Sequence, residues 1–273
     1  MKNNQLTVHM MVKNEDRFIW YSISSVLPYA DRIFIADTGS TDNTIKIIKS
    51  FNSKKIEFYE REVRDVIDIA RIREEQVDKT TTDWFWVVDG DEIYPSFLCE
   101  EIKNVITTKG ETLEGIVVGR YDLLGDIYHF QNPDVGPYHL FGKKGHIVVR
   151  LINKKNINGI RVSGSYPYEG YYDKSGREIV HHSPHLFYFT TGKLWHAMYL
   201  KRSSSGANIQ TTFHRNKYKI EWGRSFPDTV KIPDIFNQKH PTFVSDVHTK
   251  RSTVYTIESA ILTPVKMVKR MIF

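Results

Sequence analysis

The sequence reads WFWVVDGDE over residues 84–92, an apolar run followed directly by acidic residues. The first five residues have the aromatic and β-branched character of a buried strand. Asp89 and Asp91 come next, and two carboxylates held this close repel each other unless a cation lies between them. Oxygen ligands favour Mg²⁺ or Mn²⁺, which keep water and phosphate oxygens as further ligands. The stretch therefore predicts a divalent metal site that binds a diphosphate.

Three further apolar runs precede this one, and polar segments with helical periodicity separate them. Alternating strands and helices are typical of an α/β fold with a mainly parallel sheet. Pro28 is expected to end the first helix, and Thr41 or Asp42 to cap the second. We predict strands over residues 6–12, 33–36, 56–59 and 84–88, and helices over residues 16–27, from about residue 42 onward, and over residues 67–79.

The loops after the first two predicted strands are polar. They read MVKNE over residues 11–15 and DTGSTDNT over residues 37–44. Open α/β sheets bind ligands beyond the carboxyl ends of their strands, so these loops and the Asp-x-Asp motif are expected at one edge. Alone, an Asp-x-Asp motif is more often an acidic surface turn. Its place after a buried strand is what favours a metal site here.

The composition is that of a globular protein. Of 273 residues, 40% are hydrophobic and 26% are charged, which excludes disordered, collagen-like and coiled-coil chains. Cys99 is the single cysteine, so neither a disulfide framework nor a cysteine-based zinc site can form within the chain. The N-terminal apolar run is too short and polar for a secretory signal, and no stretch approaches the roughly 20 apolar residues of a membrane span. We expect a cytoplasmic protein.

The pattern changes after residue 115. Strand-like segments such as residues 115–120 and 147–153 alternate there with Gly, Pro and Asn clusters, and helical periodicity weakens. No long flexible linker separates the parts of the chain before and after residue 115, so we expect one compact body. We divide it into a first half over residues 1–115, a more irregular half over residues 116–255 and a terminal segment over residues 256–273.

The C-terminal part of the chain is basic. Residues 193–273 hold 14 Lys and Arg against 5 Asp and Glu, which suits nucleic acid, anionic lipid, a phosphorylated substrate or a solvated surface. In the terminal segment, apolar residues such as Ile257, Ile261 and Val265 recur at helical spacing, interrupted by Pro264. We expect this stripe to pack onto the domain, as terminal amphipathic helices usually do. The alternative is peripheral contact with an anionic membrane surface, at its inner face.

The three motifs together resemble the family 2 glycosyltransferases, whose fold is called GT-A. The resemblance rests on Val-x-Asn-Glu at residues 12–15, the run over residues 37–44 and Asp-x-Asp-Glu at residues 89–92, in the family's order. It implies a Rossmann-like, mainly parallel sheet flanked by helices. Residues 1–115 would then form the nucleotide-sugar-binding half, and residues 116–255 the irregular acceptor side.

The resemblance also implies how the nucleotide is bound. The base would lie against Val12 and be hydrogen-bonded by Asp37, while Asn14 and Glu15 shape that edge of the pocket. Uracil suits an acidic acceptor, so the implied donor is a UDP-sugar.

On the diphosphate side, the resemblance implies that Asp91 binds Mn²⁺ or Mg²⁺ and that Asp89 faces the ribose or the metal. Glu92 would support the loop. Relatives often carry Ala-Arg-Asn upstream, where the arginine serves the pyrophosphate, and this chain reads ARIRE over residues 70–74. Either Arg71 or Arg73 fits that role, and each also fits a solvated helix position beside acidic neighbours.

The acceptor half matches the relatives less closely. They often carry Arg-Leu-Phe-Arg-Asn and then Gly-x-x-His-Glu, whereas this chain has RLIN over residues 150–153 and GSYPYE over residues 164–169. The histidine before the glutamate is missing. An inverting transferase needs one general base to deprotonate the acceptor. We favour Glu169, then Asp173, and an ordinary loop carboxylate is the alternative for Glu169.

A histidine cluster follows, with VHHSPH over residues 180–185. In a GT-A protein His181, His182 or His185 would supply a third metal ligand or a hydrogen bond to the diphosphate, and we favour His182. A separate zinc centre has no cysteines to use. The basic and aromatic stretch from Lys193 to Trp222, with His196, Arg202 and Arg215, would close over the diphosphate, stack on a sugar or form a basic surface.

The sequence thus predicts a metal-dependent, inverting transferase that moves a sugar from a UDP-sugar to a glycan, lipid-linked or protein acceptor, without a nucleic-acid partner. One alternative is an inactive GT-A-like glycan- or nucleic-acid-binding protein, favoured by the basic C-terminus but not by clustered carboxylates. Another is a magnesium phosphatase with Asp89 as nucleophile. That class places its nucleophile after the first strand, and its usual Thr or Val is replaced by Glu92.

Overall fold

The computed structural model describes residues 5–201 and 219–272 of the chain. Strands and helices alternate up to residue 109, and mostly strands follow. The strands are β1 (Leu6–Val12), β2 (Arg32–Asp37), β3 (Ile56–Glu60), β4 (Trp84–Val87), β5 (Glu92–Ile93), β6 (Gly115–Asp122), β7 (His129–Phe130), β8 (Tyr138–Leu140), β9 (Lys143–Gly145), β10 (Ile147–Asn153), β11 (Arg161–Ser163), β12 (Gly170–Tyr172), β13 (Phe187–His196) and β14 (Arg224–Ser225). The helices are α1 (Ile19–Val26), α2 (Thr44–Ser50), α3 (Asp68–Lys79), α4 (Ser96–Lys109) and α5 (Thr253–Ile272).

Eight strands form the central sheet, in the order β3-β2-β1-β4-β10-β6-β13-β5. Parallel pairing joins β1 to β2 and β4, β2 to β3, and β6 to β13, whereas β10 is antiparallel to both β4 and β6. Six strands, β1 to β4, β6 and β13, therefore point the same way. Their carboxyl ends share one side of the sheet, which we call the carboxyl edge, and the opposite side is the amino edge.

Both faces of the sheet are buried, which explains the continuous apolar run of β4. Trp84 and Trp86 belong to the core that includes residues of α1, α2 and α4. Phe85 and Val87 belong to a smaller core with Val77 of α3 on the other face. Side chains alternate between faces along a strand, so a strand covered on both sides needs apolar residues at every position.

The predicted α/β class and mainly parallel sheet are confirmed. The strand predicted over residues 6–12 matches β1, and the other three differ from β2, β3 and β4 by at most one residue at an end. The first helix begins at Ile19 rather than at Asp16, whose N–H donates to Asp42 Oδ2 at 3.3 Å in the neighbouring loop. The same Asp42 accepts the Thr44 N–H at 2.9 Å where α2 begins. After residue 115, β6, β10 and β13 complete the sheet that β1 to β4 begin.

The terminal helix α5 differs from the sequence-based expectations of an interruption at Pro264 and of an apolar stripe packed onto the domain. It runs through Pro264 without a break. Its apolar stripe is exposed, with 57% of Ile257, 65% of Ile261 and 64% of Val265 accessible to solvent. The expected packing of this stripe onto the domain is therefore wrong. Among the helices of the described residues, none is both long and apolar enough to cross a membrane.

Candidate active site

Three residues able to bind a metal meet at the carboxyl edge. Asp89 and Asp91 lie in the turn after β4, and His196 is the last residue of β13. Antiparallel pairing of β5 with β13 sets Glu92 opposite His196 and brings Asp91 next to that imidazole. One ligand atom of each of Asp89, Asp91 and His196 lies within 4.8 Å of the others, and the described residues contain no second group of this kind. We call these three residues the metal-ligand group.

The metal-ligand group suits a magnesium or manganese ion. Two carboxylates and one imidazole are ligands that Mn²⁺ accepts readily, and carboxylates are the usual protein ligands of Mg²⁺. Asp91 and His196 are buried, with 3.6 Å between Asp91 Oδ1 and His196 Nε2. Asp89 keeps 32% of its side chain exposed and forms the solvent-facing side of the group.

A further carboxylate, Asp122 at the end of β6, orients His196. The Nδ1–H of His196 donates to Asp122 Oδ1 at 3.1 Å, which leaves Nε2 facing Asp91. Arg120 Nε lies 2.8 Å from Asp122 Oδ1, and His146 Nδ1 lies 2.9 Å from Oδ2. Burial opposes ionisation of Asp122, but the hydrogen bonds from the two histidines and the nearby arginine hold its pKa well below the usual range. Burial also opposes a charge on His196, yet Asp91 and Asp122 raise its pKa to about 9.

Two largely buried arginines offset the negative charge of residues 89–92, which we call the acidic turn. Arg150 Nη2 lies 2.7 Å from Asp89 Oδ2, and its Nε donates to Glu92 Oε1 at 3.0 Å. Arg73 Nη2 lies 3.8 Å from the other oxygen of Asp89. Burial would raise the pKa of Asp89, but Arg150 and Arg73 lower it to about 2. Burial is the stronger influence on Glu92 and raises its pKa despite Arg150. The turn thus keeps an ionised Asp89 at its open side.

Of the two arginines predicted for the pyrophosphate side, Arg73 lies at the site and Arg71 does not. Arg73 contacts Asp89 and also Glu169, whose Oε1 is 3.5 Å from Arg73 Nε. The side chain of Arg71 is 72% exposed and pairs with Asp68 within the first turn of α3. Residues two apart in a helix face different directions, so only one of them can reach the carboxyl edge.

The two predicted catalytic carboxylates are separated by the length of β12. Glu169 precedes this strand and lies beside Arg73, with its Oε2 buried and without a hydrogen-bond partner among the described residues. Asp173 follows the strand and closes a turn, where its Oδ1 accepts the N–H of Ser175 at 2.8 Å and of Arg177 at 3.0 Å. Only Glu169 is brought toward the metal-ligand group.

Asp37, predicted to bind the base, ends β2 at the same edge. Its Oδ1 accepts the N–H of Gly39 at 2.9 Å and of Ser40 at 2.8 Å, so the start of the polar loop folds around that oxygen. Its Oδ2 is buried and has no hydrogen-bond partner in the described part of the chain. Buried polar atoms are nearly always hydrogen-bonded, so this oxygen is suited to a ligand N–H.

Asn14 ties the first polar loop to the second. Its backbone φ is 54°, in the left-handed region that Asn tolerates better than most residues. Its Oδ1 accepts the Thr41 N–H at 2.7 Å, and its own N–H donates to Ser40 Oγ at 2.8 Å. The N–H of Glu15 donates to Thr44 Oγ1 at 2.8 Å. The two loops therefore hold each other in place around the residues predicted to bind the base.

The acidic turn approaches this first loop closely at Gly90. A Cβ atom added to Gly90 would lie 3.1 Å from both Val12 Cγ1 and Glu15 Cγ. Val12 and Glu15 are themselves buried. The predicted base-binding residues Val12 and Glu15 therefore pack directly against the predicted metal-binding turn.

Residues 7–155 match the model of glycosyl transferase family 2, which is more than half of the chain. The chain belongs to glycosyl transferase family 2. The family 2 match includes β1 to β4, the acidic turn and Arg150, and leaves Glu169 and His196 beyond its end. No curated protein was found to match.

This family 2 chain is also similar to solved structures. S. aureus TarS 1-349 is 14% identical with a TM-score of 0.40, over 55% of this chain and 47% of that chain. Its complex with UDP-GlcNAc is 12% identical with a TM-score of 0.42, over 55% and 45%. Glucosyl-3-phosphoglycerate synthase from Mycobacterium tuberculosis, in complex with Mn²⁺, UDP and glucosyl-3-phosphoglycerate, is 20% identical with a TM-score of 0.35, over 45% and 46%. The match thus spans less than half of each of these relatives' chains.

The histidine predicted as third ligand, His182, is not brought to the metal-ligand group of this family 2 chain. Its Nδ1 lies 2.6 Å from Glu114 Oε2 and its Nε2 lies 3.4 Å from Asp173 Oδ2. Glu114 directly precedes β6, so this contact lies at the amino edge. Because β13 runs parallel to β6, the residues before β13 lie at the amino edge and its last residue, His196, reaches the carboxyl edge.

Three residues of the site were assigned other roles, or none, from the sequence. His196 appeared only within the stretch expected to close over the diphosphate, and Arg202 and Arg215 of that stretch lie outside the described residues. Arg150 was noted only as the start of RLIN, and Asp122 was not noted. Asp122 does carry a signal in the sequence, since it is a carboxylate two residues beyond the strand-like segment over residues 115–120.

Proposed function

We propose that this chain is a metal-dependent, inverting glycosyltransferase that uses a UDP-sugar donor and a glycan, lipid-linked or protein acceptor. The observation that carries the proposal is the joint placement of Asp37, the metal-ligand group and Glu169 around one end of the sheet. Membership of glycosyl transferase family 2 supports the reaction class. A cytoplasmic place of action and the absence of a nucleic-acid partner belong to the same proposal.

The donor's base would be recognised through Asp37. Its buried Oδ2 has no partner in the described residues, and leaving such an oxygen unpaired costs about 1 to 3 kcal/mol. Uracil offers a ring N–H to a carboxylate acceptor, so UDP would satisfy this atom. Val12 would lie against the base, and Asn14 and Glu15 would hold the surrounding loop in place.

The diphosphate would be bound where Asp91 and His196 meet, with Asp89 at the open side. Asp91 and His196 would hold Mn²⁺ or Mg²⁺, and Asp89 would complete the set or face the ribose. A bound divalent ion stabilises negative charge on a leaving diphosphate. Arg73, at 3.8 Å from Asp89, adds a positive charge on the side where the phosphates would lie.

Glu169 would act as the general base. It would take the proton of the acceptor hydroxyl while that oxygen bonds to the anomeric carbon and the bond to UDP breaks. Such a single displacement inverts the anomeric configuration, and one positioned carboxylate suffices for it. Arg73 Nε lies 3.5 Å from Glu169 Oε1, and the buried Oε2 has no partner among the described residues.

Calorimetric titration of UDP, GDP and dTDP into the protein tests the donor site, each with Mn²⁺ and with EDTA. We expect UDP to bind in Mn²⁺ at least about tenfold more tightly than in EDTA, because an ion held by Asp91 and His196 would offset the negative charge of the diphosphate. D91N should abolish that difference. D173N is the matched control, because its carboxylate lies in a turn away from the metal-ligand group.

Equal UDP affinity with Mn²⁺ and EDTA would contradict the metal role, and unchanged metal dependence in D91N would contradict the assigned ligand. Failure of every nucleotide to bind would instead favour the GT-A-like binding protein, which keeps the fold without the reaction.

A further inference from the structure

The helix α5 attaches to the rest of the protein through its polar face. Lys266 Nζ donates to the Ile220 carbonyl at 2.9 Å, and Arg270 Nη2 donates to Glu221 Oε1 at 2.6 Å. Thr263 Oγ1 accepts the Trp222 N–H at 2.7 Å. These side chains recur at intervals of three or four residues, so they share one side of the helix. Basic and hydroxyl groups, together with the buried Tyr255, whose hydroxyl donates to the Lys219 carbonyl at 2.9 Å, therefore hold α5 against the segment that contains residues 219–222.

The opposite side of α5 is apolar and faces solvent. Val254, Ile257, Ile261, Val265 and Val268 lie along it, and each is between 51% and 65% exposed. A surface helix of a globular protein normally has the reverse arrangement, with its apolar stripe toward the core. A row of large aliphatic side chains in water marks an interaction surface. We call these five residues the apolar stripe of α5.

The charges around the apolar stripe indicate the partner. Of the three basic residues in the last turns of α5, Lys266 and Arg270 lie on the attaching side, whereas Lys269 is exposed, and Glu258 is the single acidic residue of the helix. Lys250 and Arg251 precede the other end of the helix. Apolar and cationic groups in one amphipathic helix are the features that bind an anionic lipid surface.

A second copy of the chain fits the same face less well. Parallel pairing of two α5 helices would set the basic last turns side by side, and antiparallel pairing would set them against residues 250 and 251 of the other copy. Both arrangements bring like charges together. One helix of roughly 30 Å also offers little area toward the about 1,200 Å² that stable interfaces bury.

The attachment of α5 links it to the candidate active site. Gln131 Nε2 donates to Glu221 Oε2 at 3.1 Å, and the Gln131 N–H donates to the Asp122 carbonyl at 2.8 Å. Asp122 is the residue that orients His196. The segment that holds α5 is therefore hydrogen-bonded to the carboxyl edge of the sheet.

We propose that α5 binds an anionic lipid bilayer through its apolar stripe, with the exposed Lys250 and Lys269 at the headgroups. The helix lies on the surface and does not span it. If the proposed transferase function holds, on which this consequence rests, the sugar transfer takes place at the membrane surface.

Cosedimentation of the full chain with vesicles tests whether α5 binds an anionic lipid surface. The probes are vesicles with about 30 mol% phosphatidylglycerol in phosphatidylcholine, and vesicles of phosphatidylcholine alone. We expect binding to the anionic vesicles that weakens as salt is raised to about 0.5 M. The double variant I261Q/V265Q should lose about tenfold or more of that affinity, because two of the five apolar anchors are removed.

The matched control is I67Q/F97Q, which removes two apolar side chains of similar exposure, 54% and 51%, away from α5. It should bind vesicles like the unaltered protein. Equal binding of the two double variants, or a concentration-dependent dimer that fails to bind vesicles, would overturn the proposal. UDP titration of I261Q/V265Q should be unchanged, so failure of vesicle binding is distinguishable from failure of the proposed donor site.

Discussion

His196 and Asp122 end two neighbouring parallel strands, and the imidazole Nδ1–H of the first donates to the carboxylate of the second at 3.1 Å. This bond leaves Nε2 of His196 directed at Asp91. Carboxylate–imidazole pairs of this kind fix the orientation and tautomer of metal-binding histidines. The pair also joins β13 to β6 at the point where both reach the carboxyl edge.

D122N should weaken metal-dependent UDP binding about 10- to 100-fold, the range found for changes behind a metal ligand. The neutral amide accepts more weakly from His196 and leaves the nearby Arg120 without its charge partner. Calorimetry of UDP at several Mn²⁺ concentrations measures the effect. D134N is the control, since Asp134 pairs with Arg224 at the surface. Full Mn²⁺ affinity in D122N would show that this carboxylate does not position the imidazole.

Replacing one histidine at a time distinguishes the two candidate third ligands. H196A should abolish the Mn²⁺ dependence of UDP binding, because Nε2 is lost from the metal-ligand group. H182A should leave it unchanged, since His182 contacts Glu114 and Asp173 at the amino edge. Titration of UDP in Mn²⁺ and in EDTA measures both. The reverse pattern would restore His182 as the ligand and remove His196.

Arg150 is expected to matter for stability as well as for the site. Its loss in R150M leaves Asp89 and the fully buried Glu92 close together without their shared cation. Breaking a buried ion pair from one side costs about 3 to 5 kcal/mol. Urea unfolding at pH 7 should show a loss of this size, and a smaller loss toward lower pH, because burial raises the pKa of Glu92 and its protonation removes the unpaired charge.

R71M is the control for R150M. The Arg71 side chain is 72% exposed, so its pair with Asp68 should contribute no more than about 1 kcal/mol. Similar losses in the two variants would mean that Arg150 is not a buried counter-charge.

The pH dependence of stability should include a contribution from Glu221, which anchors α5. Burial works against its charge, but hydrogen bonds from Arg270 and Gln131 lower its pKa below the ordinary value of 4.5. A lowered pKa in the folded state stabilises the protein above the ordinary value, and this stabilisation disappears as the pH falls through the folded-state value. The unfolding free energies of the unaltered protein and E221Q should differ by about 1 to 3 kcal/mol at pH 6 and converge toward pH 3. E258Q, at an exposed position of α5, should show no such convergence.

The features that the sequence predicted well are those that depend only on residues close together in the chain. β4 is a continuous apolar run and β1 is apolar apart from Thr7 and His9. Asp37 ends β2, and Asp89 and Asp91 lie in the turn after β4, so strand ends and carboxylates were found together. The contacts that were missed depend on pairing between distant segments. His196 reaches Asp91 across 105 positions only because β13 pairs with both β6 and β5.

The direction of β13 also explains why His182 lies away from the metal-ligand group. A strand parallel to β6 must enter at the amino edge, so the cluster that precedes it stays there. α5 shows a second limit of prediction from sequence. Its periodicity was evident from the sequence, but periodicity cannot tell which face of a helix meets the protein, and here the polar face does.

Glu169 is the residue whose proposed role is chemical rather than structural, and E169Q separates it from Asp173. The amide keeps the shape of the side chain but cannot accept the acceptor's proton, so the rate of transfer should fall about 10²- to 10⁴-fold. UDP affinity in Mn²⁺ should stay within about threefold, because the donor contacts proposed for Asp37, Asp91 and His196 remain. D173N should keep the full rate, since Asp173 closes a turn of its own. The rate is measured as UDP release from a UDP-sugar with a crude acceptor preparation. A loss in D173N with full activity in E169Q would move the base to Asp173, and full activity in both would place the base elsewhere.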